Sequence, residues 1–78
     1  MSSRCTWVRG ARFYVGEIDH NLFGEWTFTR IWGATTSRRR GQKIMLCLSY
    51  ADALKQLEGC AKRRLRRGYV STTFDREL

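Results

Sequence analysis

The sequence predicts an α+β fold, a small antiparallel β-sheet with one α-helix packed across it. Three observations carry this expectation. The first half is rich in aromatic and branched residues, and residues 25–32 alternate with the period of two that a pleated strand imposes. One later segment, residues 49–68, has the helical period and carries start and stop signals at its two ends. A strand-like run follows it, and strands, one helix and a strand are the order of a sheet covered on one face by a single helix.

Arg12-Phe-Tyr-Val-Gly-Glu-Ile18 is rich in aromatic and branched residues and reads as the first strand. Asp19-His-Asn-Leu-Phe-Gly24 has turn chemistry. In Glu25-Trp-Thr-Phe-Thr-Arg-Ile-Trp32, the alternation puts Trp26, Phe28, Arg30 and Trp32 on one face and Thr27, Thr29 and Ile31 on the other. These two segments are expected to form an antiparallel hairpin. Gly33 to Gly41 is a polar, Arg-rich loop. Gln42-Lys-Ile-Met-Leu-Cys-Leu48 is an almost unbroken apolar run, expected to be a central strand covered on part of both faces. Ser49 is a good N-cap for the helix, with Asp52 as a weaker capping-box partner. Tyr50, Ala53, Leu54, Leu57, Ala61 and Leu65 fall on one stripe at about 100° per residue. Leu57, Ala61 and Leu65 are therefore expected against the sheet. Gly59 is a candidate point of close packing, and Gly68 ends the helix in a left-handed conformation. Tyr69-Val-Ser-Thr-Thr-Phe74 reads as the last strand.

Seventy-eight residues make one domain, 1–78, with a folded core expected over about 7–74. An apolar content of 42%, with three Trp, three Tyr and four Phe, argues for a packed interior rather than disorder. No apolar run approaches the roughly 20 residues that cross a bilayer. The start, Met1-Ser-Ser-Arg-Cys-Thr-Trp, lacks the apolar centre of a secretory signal. A cytoplasmic location is the expectation. Cys5, Cys47 and Cys60 are odd in number, far apart and outside any Cys-x-x-Cys pair, so reduced, packed thiols are expected. With His20 they number four potential zinc ligands, but no ligand spacing supports a metal site.

The charge is unevenly placed. Arg38, Arg39, Arg40, Lys43, Lys55, Lys62, Arg63, Arg64, Arg66 and Arg67 are opposed over that stretch only by Asp52 and Glu58, which leaves it with the whole formal charge of +8. Outside it, Arg4, Arg9, Arg12, Arg30 and Arg76 balance Glu17, Asp19, Glu25, Asp75 and Glu77. A neutral part joined to a strongly basic part suggests a face for a polyanion, whose phosphates attract it and whose counterions are released. On the helix, Lys55, Lys62 and Arg66 share an exposed stripe with Arg63 and Arg67 beside it. One or two cations in a last turn offset the helix dipole; five of the six positions from Lys62 to Arg67 exceed that need. Two readings stand for Arg38, Arg39 and Arg40: a phosphate clamp using the arginine fork, or a solvated loop tip. Trp26 and Phe28 belong to the core. Trp32, at a strand end beside the basic loop, is equally placed to pack or to stack on a base.

Catalysis has little support. His20 has no nucleophile partner, no paired carboxylates mark a pocket, and neither Gly24-Glu25-Trp26 nor Arg40-Gly41-Gln42 forms a phosphate loop. The expectation is no enzyme and no cofactor.

From Arg12 to Val70 the chain resembles the WGR domain, named for a Trp-Gly-Arg signature and found alone in bacteria and within poly(ADP-ribose) polymerases. The resemblance rests on Phe13-Tyr14, Leu22-Phe23-Gly24-Glu25-Trp26, Arg30-Ile31-Trp32-Gly33, Gly41-Gln42, Ser49-Tyr50-Ala51-Asp52-Ala53, Lys62 and Arg67-Gly68-Tyr69. It covers about three-quarters of the chain, through short motifs whose order and spacing together are fairly specific. It implies an antiparallel sheet with one helix across it and DNA binding, which polymerase members direct at strand breaks, with the signature tryptophan near the broken end. That tryptophan corresponds to Trp32. The third signature position is Ala34 instead of arginine, and the loop to Arg40 looks slightly longer than the family's, so Arg38 to Arg40 would have to replace the missing guanidinium.

The expected function is nucleic-acid binding, DNA before RNA, through Arg38, Arg39, Arg40 and Lys43 on a loop side and Lys55, Lys62, Arg63, Arg66 and Arg67 on a helix side, with Trp32 as a stacking residue. The alternative is a protein-interaction adaptor whose basic face meets an acidic partner. A monomer is favoured, although an exposed apolar edge strand could pair two copies.

Overall fold

The computed structural model describes residues 3–76, with side chains over 3–72. Met1, Ser2, Glu77 and Leu78 lie outside the described residues, and with them the start of the segment read for a signal and one of the balancing carboxylates. The elements are β1 (Ser3–Arg9), β2 (Arg12–His20), β3 (Trp26–Ala34), β4 (Arg40–Cys47), α1 (Tyr50–Arg66) and β5 (Val70–Arg76). The strands form one antiparallel sheet in the order β4-β3-β2-β1-β5, with α1 laid across one face. This is the α+β architecture expected from the sequence. No helix among the described residues is long and apolar enough to cross a membrane.

Register divides the sheet into two faces. Tyr14, Gly16 and Ile18 on β2 pair with Trp32, Arg30 and Phe28 on β3 and with Trp7, Cys5 and Ser3 on β1. These positions look toward the helix. The core is Cys5, Trp7, Tyr14, Ile18 and Phe28 from the sheet, with Ala53, Leu57 and Cys60 from α1 and Tyr69 after it. The helix sits over Gly16, where a Cβ would meet Leu57 Cδ1 at 3.0 Å and the Trp7 ring at 3.3 Å. Glycine at this position lets the helix approach the sheet closely. At the other end of the sheet Trp26 stacks on His20 and meets Tyr50 edge-on.

The helix starts and stops where the cap residues require. Ser49 Oγ accepts from the Asp52 N–H at 3.1 Å, and Asp52 Oδ2 accepts from the Leu48 N–H at 3.2 Å. Gly68 adopts φ +85, and the Gly68 and Tyr69 N–H groups donate to the Leu65 and Arg64 carbonyls. Only glycine takes that conformation without steric cost.

Five expectations need correction. Gly59 is not a point of close packing, since a Cβ there would meet only the end of the Arg63 side chain at 3.6 Å. The loop expected over Gly33 to Gly41 is shorter, because Gly33 and Ala34 end β3 and Arg40 and Gly41 open β4. A strand, β1, precedes the one expected to be first; in Ser3-Arg-Cys-Thr-Trp-Val-Arg9 the buried Ser3, Cys5 and Trp7 alternate with Arg and Thr, which weakens the apolar signal. β4 is an edge strand and not a central one. Its apolar run arises because Met45 and Cys47 face the helix while Ile44 and Leu46 face outward, 60% and 64% exposed. The helix is also turned from its expected orientation. Ala53, Leu57 and Cys60 are its buried residues, whereas Leu65 is 61% exposed. The next position on the buried line is Arg64, whose guanidinium lies 4.1 Å from the Tyr14 ring centre and 5.2 Å from that of Tyr69. A purely apolar stripe misses this, because an arginine occupies a sheet-facing position and is held there by aromatic faces.

Candidate nucleic-acid interface

Three chain segments meet at one end of the sheet. They are the β1–β2 turn (9–12), the β3–β4 turn with its flanks (33–41) and the helix terminus (62–68). Hydrogen bonds stitch them together. The Thr35 N–H donates to the Ala11 carbonyl at 2.8 Å, and Arg9 Nη1 donates to the Arg67 carbonyl at 3.0 Å. The segments hold ten of the fifteen Lys and Arg residues and no Asp or Glu. The one ion pair among the described residues, Arg4 to Glu17 at 2.8 Å, is not part of them. Their positive charge is thus not compensated locally.

The cations differ in posture. Arg38 and Arg39 lie in an exposed turn, tightened by the Arg39 N–H donating to Ser37 Oγ at 3.1 Å. Arg40 opens β4, and its guanidinium stands 5.4 Å from the Phe13 ring centre. Lys62, Arg63, Arg66 and Arg67 are exposed. The helix does not need them as caps, because the carbonyls of Arg63, Arg64, Leu65 and Arg67 accept from backbone N–H groups or from Arg9. Arg64 is the exception, lying over two tyrosines with its Nε buried and without a hydrogen-bond partner.

Two of the residues expected at the interface lie apart from this end. Lys55 sits about 18 Å back along the helix axis from Arg67, at 1.5 Å per residue. Lys43 is opposite Arg30 in the middle of the β3–β4 pair, about 10 Å along β4 from Arg40. Two residues that sequence reasoning left out of the interface, Arg9 and Arg12, belong to this end. The signal was present as two arginines flanking Gly10-Ala11, but a charge balance counted along the chain cancels them against distant carboxylates.

Trp32 is 39% exposed and lies at the margin of the basic end. Its indole stacks on Tyr14 with ring centres 5.9 Å apart and planes 18° apart. It also covers the backbone of Gly41 directly across the β3–β4 pair, where a Cβ would fall inside the indole. Beside it a cleft of about 250 Å³ is lined by Arg12, Phe13, Trp32, Ser37, Arg39 and Tyr69, among others. The arrangement offers guanidinium forks and an aromatic edge around one concavity, a chemistry suited to anions attached to planar groups.

The three thiols are free. Burial pushes the Cys60 thiol up, against the lowering pull of Arg64, Arg63 and Arg30. Burial, and then Cys60 itself, raises Cys5. These groups are neutral packing elements and not activated nucleophiles. No group of three or more metal-ligating side chains occurs among the described residues. Comparison with protein-family models, with curated proteins and with solved structures found no match.

Proposed function

We propose that this protein is a cytoplasmic, non-enzymatic binding domain that takes nucleic acid, DNA before RNA, on its basic end. The observation that carries the reading is the convergence of ten cations from three segments, with no carboxylate among them. A concentrated charge of this kind draws a polyanion over a Debye length of roughly 8–10 Å and releases its condensed counterions. Arg38, Arg39, Arg63, Arg66 and Arg67 are the main phosphate ligands, joined by Arg9 and Arg12, and most contacts go to the backbone, so sequence preference is low. Trp32 supplies a surface for stacking or for a sugar edge. The resemblance to the WGR domain supports the same reading, with Arg12 and Arg39 standing beside Trp32 where Ala34 leaves the signature arginine missing.

Titration with a fluorescein-labelled duplex, followed by anisotropy across a salt series, tests the proposal. Each phosphate contact contributes about −0.9 to the slope of log affinity against log salt. Replacing Arg38, Arg39 and Arg40 with alanine is expected to lower affinity and reduce the slope by about 2. Unchanged affinity and slope would remove the turn from the interface. Absence of amide shifts at the basic end on adding duplex or single-stranded DNA, followed by NMR, would remove the function. An acidic protein partner at the same end gives a similar salt dependence, but DNA at physiological salt would then displace it poorly.

A further inference from the structure

The sheet face turned away from the helix is not the polar face that a one-sided antiparallel sheet ordinarily shows to water. Register places Arg4, Thr6 and Val8 of β1 on it, with Phe13, Val15, Glu17 and Asp19 of β2. It also holds Thr27, Thr29 and Ile31 of β3, Gln42, Ile44 and Leu46 of β4, and Val70 of β5. The apolar members are contiguous. Leu46 and Ile44 are followed diagonally by Ile31, which pairs with Val15; Phe13 pairs with Val8, and Val8 with Val70. The band crosses all five strands, and its ends are open to solvent, with Ile44, Leu46 and Val70 each 60–64% exposed.

We propose that this face is a self-association surface and that its occupant is the same face of a second copy of the chain. Charge is the first argument. Among the described side chains Arg4 and Glu17 pair on the face, and Arg40 at the basic end offsets Asp19 at the other. Over the described side chains the face therefore carries no net charge, while the chain carries +8. Two copies can approach there without opposing their cationic ends, provided that a two-fold axis runs across the strands. That axis sends the basic ends to opposite poles and brings Arg40 of each copy toward the Asp19 end of the other. An isologous pairing needs such a self-complementary patch. Area is the second argument. Five strands about 4.8 Å apart and eight residues at about 3.3 Å give roughly 600 Å² per copy, so the pair covers about 1,200 Å², the lower bound for a specific interface. A reversible dimer of modest affinity follows, in place of the monomer favoured from the sequence.

Sedimentation equilibrium of the full chain, with reductant present to keep Cys47 from cross-linking, tests the proposal. The weight-average mass is expected to rise from one chain toward two between about 1 µM and 1 mM, the range for interfaces of this size. The double substitution Ile44→Glu/Leu46→Glu is expected to raise the dissociation constant on the order of 100-fold by placing carboxylates in the buried band. Leu22→Glu/Phe23→Glu, on the exposed β2–β3 turn, is expected to leave it unchanged. If circular dichroism shows that the β4 variant has lost its fold, Val70→Glu on the far edge takes its place as the face variant. A single-chain mass at all concentrations, a folded face variant that dimerises like the parent, or loss of the dimer in the turn variant would each overturn the proposal.

Discussion

Gly41→Ala isolates the packing of Trp32. Gly41 is not among the glycines with positive φ, so alanine meets no backbone penalty there. The obstacle is steric, because the new methyl would overlap the indole. Trp32 is 39% exposed and can swing outward, so the cost is what the ring loses and not a rigid clash. With about 60% of a roughly 250 Å² side chain covered, the ring contributes on the order of 3–4 kcal/mol of burial. Leaving Gly41 and the Tyr14 stack gives up about half of that, ~2 kcal/mol. Restricting the unfolded chain by replacing glycine returns about 0.4–1 kcal/mol. The net expectation is a loss of about 1–1.5 kcal/mol. In a Trp32→Ala background the obstacle is gone, and Gly41→Ala should instead stabilise by about 0.4–1 kcal/mol. Urea unfolding of the four proteins by far-UV circular dichroism, at constant m-value, closes the double-mutant cycle. A coupling below about 0.5 kcal/mol would refute the placement of the indole over Gly41.

The orientation of α1 predicts that Leu57→Ala costs about 3 kcal/mol in urea unfolding while Leu65→Ala stays within about 0.5 kcal/mol. Equal costs would contradict the helix rotation. Arg64→Ala is expected to cost about 2 kcal/mol, through lost contact with two tyrosine rings and lost packing of the stem, against about 0.5 kcal/mol or less for exposed Arg66→Ala. Similar losses in the two arginine variants would place the Arg64 guanidinium in solvent. Cys5 and Cys60 have their thiols raised above the ordinary value of 9.0 by burial, so the folded state favours the neutral form. Their contribution to stability is complete below that value and is lost as pH rises through the folded pKa. The urea midpoint should therefore fall, as pH is raised above the ordinary thiol value of 9.0, by more in the parent than in Cys5→Ala/Cys60→Ala. An identical fall in both would exclude the thiols as its source.

Local chemistry was legible wherever one element carries its own signal. The β2–β3 hairpin follows from period-two alternation around a turn, and the helix from Ser49, Gly68 and the apolar period between them. The seventeen-residue helix is bounded by those two residues because each answers a backbone requirement of a helix end. The edge position of β4 was not legible. A run such as Ile44-Met-Leu-Cys47 satisfies a strand with two covered faces and a strand with an uncovered apolar face equally well, and only pairing distinguishes them.

Residue identity and short-range spacing suffice for the layer architecture, the helix boundaries and the existence of a large uncompensated positive charge. Tertiary structure alone decided where that charge gathers. Antiparallel pairing returns the chain to the same end at the β1–β2 and β3–β4 turns, and the helix finishes there, so Arg9 and Arg12 join Arg38, Arg39, Arg66 and Arg67 while Lys43 and Lys55 stand apart. It also decided that Arg64 faces the sheet and not solvent, through tyrosine rings contributed by β2 and by the residue before β5. The physical reason is the same in both cases: electrostatics and packing act over distances in space, which a count along the chain does not measure.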